Sequence, residues 1–184
     1  MMTGKELLKQ SRKAGKRMYK VQIIRQRDAD ASVIDRVIAL KQKAWPYPKK
    51  SQLAWIEENL KSDDLHLIMM QDGIDVAYLN LCNVKYKVNG IEMSCKGIGN
   101  VCSTVRGAGY GLRLMTETNE WLVRNKQTGL LFCHANVEQF YVKCGWVKID
   151  MEKCVISGIN PDVLLYAYNM PVIVNTIEYS DRLF

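Results

Sequence analysis

The sequence predicts one domain of mixed α/β (α+β) class, with helices flanking a central sheet. Three observations carry this. The 184 residues, 48% apolar and 24% charged, have the size and balance of a single soluble globular unit. An Asn89-Gly90 pair sits between two roughly alternating runs, VKYKV and IEMSC, which is a strong hairpin signal. After the glycines at 107, 109 and 111 the apolar pattern changes from strand spacing to helix spacing.

The elements follow in order. A strand is expected at Lys20 to Arg25, where valine and isoleucine cluster. Ile34, Val37, Ile38 and Ala44 recur at helical spacing, giving an amphipathic helix from Ala31 to Lys43. Pro46 and Pro48 interrupt it, and a second helix resumes near Ser51 as N-cap and closes at Asp63 and Asp64. LHLIMM (Leu65 to Met70) reads as a strand and Gln71-Asp72-Gly73 as a turn. IDVAYLNLCNVKYKV runs into the Asn-Gly turn, and a partner strand runs from Ile91 to about Ser103. Leu112, Met115, Asn119, Leu122 and Val123 then mark one face of a helix from Gly109 to about Lys126, with Gly129 after its end. LLFCHA is a short buried strand and VEQFYVKC a short helix closed by Gly145. WVKIDMEKCVI and VLLYAYNM complete the set as two strands.

Charge is unevenly placed. Residues 1–20 hold Lys5, Lys9, Arg12, Lys13, Lys16, Arg17 and Lys20 against Glu6 alone. Taking these from 26 basic and 19 acidic residues leaves 19 against 18, so the rest of the chain is almost neutral and the basicity belongs to an N-terminal arm. The arm reads as a solvated tail or a short helix. With no nucleic-acid motif beside it, nucleic acid is not an expected partner. No run is long and apolar enough to span a bilayer, and the first residues lack a secretory signal pattern, so a cytoplasmic protein is expected. Cys82, Cys95, Cys102, Cys133, Cys144 and Cys154 lie in apolar runs without a CxxC pair, which fits reduced core thiols and predicts no metal site.

The glycine cluster is the chemical signal. A P-loop requires Gly-Lys-Ser/Thr, and Leu112 follows Gly111. A dinucleotide fingerprint requires G-x-G-x-x-G in a first βα unit, and here the spacing is G-x-G-x-G past mid-chain. The remaining pattern is Arg/Gln-x-x-Gly-x-Gly/Ala between a strand and a helix, which Arg106-Gly107-Ala108-Gly109-Tyr110-Gly111 matches at each fixed position. Further on stand Asn136 and Phe140-Tyr141-Val142-Lys143-Cys144-Gly145-Trp146. With these two motifs in this order, residues 65 to 150 resemble the GNAT superfamily of acyl-CoA-dependent N-acyltransferases.

That resemblance implies a GNAT-like single domain over 21–184, its mostly antiparallel twisted sheet splayed at the cofactor site. It implies acetyl-CoA, or another short acyl-CoA, as co-substrate, with transfer to the primary amine of a small molecule or peptide. Glycine lets phosphates approach the backbone, and a helix N-terminus supplies free N–H groups and partial positive charge. The cofactor residues implied are Val101, Cys102, Ser103, Arg106, Gly107, Ala108, Gly109, Tyr110, Gly111, Leu112, Asn136 and Tyr141. Within that set, Val101 to Ser103 would expose N–H groups to the thioester carbonyl, and Tyr141 would be the general acid.

The family's strand glutamate has no counterpart at Cys95, Gly97 or Gly99. The candidate bases are therefore His134, Glu92 or a water chain. A catalytically silent acyl-CoA-binding module is the alternative. Trp45, Tyr47, Trp55, Tyr166 and Tyr168 are candidate acceptor-pocket aromatics, and Glu57, Glu58, Asp63 and Asp64 a candidate acidic cluster. The apolar stretch PVIVNTIEYSDRLF reads as an edge strand or a homodimer contact.

Overall fold

A computed structural model describes residues 18–158, 162–182 and 184. Strands β1 (Tyr19–Arg25), β2 (Leu65–Gln71), β3 (Ile74–Val88) and β4 (Ile91–Ser103) pair antiparallel in that order. Asp72 and Gly73, with φ of 51° and 84°, turn β2 into β3. Asn89 and Gly90, with φ of 51° and 80°, turn β3 into β4. Two positive φ values at each tip are those of a type I′ turn, whose twist matches that of the strands. The sheet continues through β5 (Gly129–His134), β8 (Val163–Tyr168) and β6 (Val147–Lys148). It is mostly antiparallel; β4–β5 is one of two parallel contacts among the described residues.

Helices α1 (Ala31–Ala44) and α2 (Lys49–Asn59) cover one face. Asp30 caps α1 by accepting from the Val33 N–H at 2.9 Å, and Val37, Ile38 and Leu40 press into a core with Tyr78, Cys82 and Cys95. Helices α3 (Tyr110–Arg124) and α4 (Glu138–Lys143) cover the other face, where Leu114, Met115 and Leu122 meet Leu79, Leu81 and Leu131. The six cysteines are unpaired.

Several expectations shift. Tyr19 and Lys20, counted with the basic arm, belong to β1, and residues 1–17 lie outside the described residues. The N-cap of α2 is Pro48, whose carbonyl accepts from the Ser51 N–H at 3.0 Å, so Ser51 lies inside the first turn. WVKIDMEKCVI is not one strand. Asp150 caps a 3-10 turn (Met151–Lys153) by accepting from the Glu152 N–H, and this separates β6 from β7 (Cys154–Ile156). In the last segment, β9 (Ile177–Tyr179) pairs with both β3 and β7, burying Ile177 and Tyr179 within this chain.

Candidate active site

The pairing of β4 with β5 stops at Lys96↔Gly129 and Gly97↔Leu130. Beyond Gly97 the two strands part into a fork, and β4 keeps β3 as its partner. On that side the register steps from Asn80↔Gly99 to Tyr78↔Cys102, so Asn100 and Val101 together oppose Leu79. This is a β-bulge, which takes residues out of the regular ladder. Asn100 has φ of 52°, a conformation asparagine tolerates better than most residues. Its Nδ2 donates to Oδ1 of the buried Asn80 at 2.7 Å. The bulge thus begins one residue ahead of the expected Val101–Ser103 stretch, and Cys102 and Ser103 are back in the ladder. Burial pushes the Cys102 thiol up to about 12, so it stays a neutral packing group.

β4 leads directly into the glycine loop. Val105 to Gly109 are all exposed. Gly107 and Gly109 have φ of 79° and 81°, and a Cβ built on either finds no atom within 4 Å among the described residues. Their bareness therefore serves no packing among the described residues. Gly109 is also the N-cap of α3 and no side chain caps that end, so the first-turn N–H groups of Tyr110, Gly111 and Leu112 are left for an external acceptor. Gly111 differs: its Cβ would lie 3.3 Å from the Phe140 ring, so packing of α4 also requires it. A groove of about 340 Å³ runs from Gly109 along Leu112, Arg113 and Thr116. A larger cavity of about 500 Å³ borders Ile149, Tyr168 and Val174, near the end of β8 opposite the fork.

The second motif locks these parts together. Trp146 is buried, and its Nε1 donates to Asn119 Oδ1 at 3.0 Å while Asn119 Nδ2 donates to the Cys144 carbonyl at 2.8 Å. A Cβ at Gly129 would lie 2.5 Å from the Trp146 ring, so that glycine belongs to β5 for packing and does not end a helix. Tyr141, half-buried on α4, lies edge-on to Phe140 at 5.0 Å. Its hydroxyl makes no hydrogen bond among the described residues. Burial, with smaller effects of Cys133 and Cys144, pushes the phenol well above its usual range, so it remains protonated at neutral pH.

Of the two base candidates, one stands at the fork. His134 ends β5, four residues beyond Leu130, while Val101 lies four beyond Gly97 on the parallel strand. Both lie beyond the last paired residues of the two strands, and strand alternation puts the exposed His134 on the Phe132 side of the sheet, the side of α1 and α2. Asn136 follows in an exposed 3-10 turn. Glu92 does not belong here. It pairs with Lys85 at 2.8 Å beside the hairpin tip, about 26 Å along the strand from Asn100.

The expected acceptor aromatics divide between the two faces. Trp45 and Trp55 pack on the α1–α2 side, Tyr166 and Tyr168 on the α3–α4 side, and Tyr47 is exposed. Asp64 also leaves the acidic cluster: it is fully buried, accepts from the N–H groups of Lys61 and Asn83, and pairs with Arg182 at 2.5 Å.

Sequence reasoning missed a buried polar group on the α1–α2 face. His66 Nδ1 lies 2.8 Å from the Tyr78 hydroxyl and Nε2 lies 2.6 Å from Gln26 Oε1. Burial, then the nearby Lys41, pulls His66 down to about 4 against the opposing effect of Asp64. Neutral His66 donates through Nε2 to Gln26 and accepts from Tyr78. Lys41 is 3% exposed, with its ammonium 3.8 Å from the Trp55 ring centroid. Burial pulls it down to about 8. No group of three or more His, Cys, Asp or Glu side chains among the described residues is arranged to hold a metal ion, and no described helix is long and apolar enough to cross a membrane.

Comparison with known proteins finds the same fold. The family described as an acetyltransferase (GNAT) domain matches residues 25–149. Among solved structures, Escherichia coli ElaA superposes with a TM-score of 0.58 at 18% identity, over 82% of this chain and 99% of that one. An acyl-CoA N-acyltransferase from Pseudomonas aeruginosa gives 0.56 at 20% identity, over 82% and 99%. The E. coli GNAT family N-acetyltransferase YhbS, solved with CoA, gives 0.61 at 14% identity, over 89% of each chain. No curated protein matches the chain in sequence.

Proposed function

The chain belongs to the GNAT acetyltransferase family, and on that basis we propose that it moves an acetyl or other short acyl group from CoA to a primary amine of a small molecule or peptide. The observation that carries this reading is the uncapped, glycine-bare N-terminus of α3, which opens beside the β4–β5 fork. The arrangement suits a pyrophosphate at Arg106 to Leu112 and a thioester in the fork, with Asn136 at its rim.

Each step has a residue to perform it. The bulge N–H groups at Asn100 and Val101 would receive the carbonyl oxygen as it gains charge. His134, directly or through water, removes a proton from the attacking amine, which approaches from the α1–α2 face. As the carbon–sulfur bond breaks, the Tyr141 hydroxyl protonates the departing sulfur from the α4 side. Acid and base thus act from opposite faces of the sheet. Residues 21–184 form the catalytic domain in this reading, and the basic arm lies outside the chemistry.

The test is amine-dependent release of CoA thiol from acetyl-CoA over a panel of primary amines. Tyr141→Phe should lower kcat by about 100-fold or more while leaving CoA affinity within threefold. Normal turnover of that variant across pH would remove Tyr141 from the mechanism. A second reading, an acyl-CoA-binding module without transfer, has one observation in its favour: β4 offers no carboxylate at Cys95, Gly97 or Gly99. It predicts tight binding of acetyl-CoA and no thiol release with any amine.

A further inference from the structure

Phe184 occupies the fork at close quarters, although none of the steps above uses it. A Cβ on Gly97 would lie 2.3 Å from the Phe184 ring, and one on Gly99 would lie 2.2 Å from the Phe184 carbonyl carbon. Real Cβ atoms do not approach so closely, so these two glycines are what allow Phe184 to lie on β4. Gly97 is the last β4 residue paired with β5, and Gly99 is already inside the opening. The ring also stands 5.6 Å from Phe132 on β5 and edge-on to Tyr179 at 6.2 Å. It therefore bridges the two arms of the fork on the α1–α2 face.

Several contacts hold this placement. β9 pairs with β3 through Lys87↔Glu178 and Val88↔Ile177. The Tyr179 hydroxyl donates to the Arg182 carbonyl at 2.5 Å. Arg182 itself pairs with the fully buried Asp64 and donates to the Asn59 carbonyl. Phe184 is thus strapped to the α2–β2 connection.

We infer that Phe184 sets the length of acyl group the protein accepts, by walling the fork just below the bulge. This rests on the acyltransferase reading. Gly99, under the Phe184 carbonyl, lies two residues from Val101 across the bulge, at most about 7 Å along the strand. That spacing leaves room beyond the thioester carbonyl for a methyl or ethyl group. A hexanoyl chain would run into Phe184.

The experiment is calorimetric titration of CoA, acetyl-CoA, butanoyl-CoA and hexanoyl-CoA into the full chain and its Phe184→Ala and Phe184→Leu variants. The wild-type protein should bind hexanoyl-CoA at least tenfold more weakly than acetyl-CoA. Phe184→Ala should abolish that difference with free CoA affinity unchanged, and Phe184→Leu, which keeps an apolar side chain on the glycines, should bring butanoyl-CoA level with acetyl-CoA. If Phe184→Ala does not fold, Phe184→Leu carries the test. The inference is overturned if the variants keep the wild-type chain-length order, or if Phe184→Ala tightens every thioester and CoA alike, the behaviour of a plug. Failure of all four ligands to bind the wild-type protein would instead remove the acyltransferase reading, and this inference with it.

Discussion

Gly109→Ala separates a structural glycine from one kept bare for a ligand. Its φ of 81° forces alanine into the left-handed region, which costs about 1–2 kcal/mol. No steric cost adds to this, because the space a Cβ would fill is empty to 4 Å. In a chain of this size the expected loss in Tm is about 2–8 °C. In the proposed function, the same methyl group would stand where the pyrophosphate lies against the α3 N–H groups. Losing one charge-assisted hydrogen bond of about 1.5–3 kcal/mol there weakens CoA binding about 10- to 100-fold. Gly73→Ala is the matched control, with φ of 84° and equally empty space, but at the β2–β3 turn. Thermal melts and CoA titrations of both variants decide the matter. Similar Tm losses with a collapse of CoA affinity in Gly109→Ala alone support the reasoning. Equal affinities in the two variants would refute it.

Further outcomes follow from the buried charges. Lys41 carries an ammonium depressed from its ordinary 10.5 to about 8 by burial, so its charge opposes folding by about 3 kcal/mol at pH 7 and the penalty fades as pH rises from 8 to 10.5. Lys41→Met should raise Tm at pH 7 and gain little at pH 10.5; a lower Tm at pH 7 would show that the contact with Trp55 outweighs the burial cost. His66 is held near 4 against an ordinary value of 6.5, so stability present above pH 6.5 declines by up to about 3 kcal/mol as pH falls to 4. Urea midpoints at pH 7 and 4.5 should fall less in His66→Asn than in the wild-type protein. Arg182→Met strands the Asp64 carboxylate and should cost about 3–5 kcal/mol of unfolding free energy. Measured by denaturant titration, a loss below 1 kcal/mol would mean that Asp64 is satisfied by its backbone donors.

Local backbone shape was legible in the sequence and long-range contact was not. Asp72-Gly73 and Asn89-Gly90 announce their turns because positive φ restricts the residues that fit. The glycine loop and FYVKCGW order the site for the same reason: each encodes a backbone shape. The break in WVKIDMEKCVI hinged on Asp150 turning back to cap its own backbone, a competition that apolar spacing does not report. Asn100 gave a fainter signal, a residue disfavoured in strands set beside Gly99. Glu92 and the aromatic set failed because sequence offset says nothing of depth along a strand or of which face a distant strand presents. Nothing near Gly97 or Gly99 announces Phe184, some 85 positions away.

Titration of acetyl-CoA into the purified protein, with free CoA as reference, tests the central claim most directly. The account predicts micromolar binding of both, with acetyl-CoA at least as tight as CoA because, in the proposed function, the bulge at Asn100 and Val101 would receive the thioester carbonyl. Absence of binding by either ligand would contradict the claim that the bare N-terminus of α3 is a CoA pyrophosphate site.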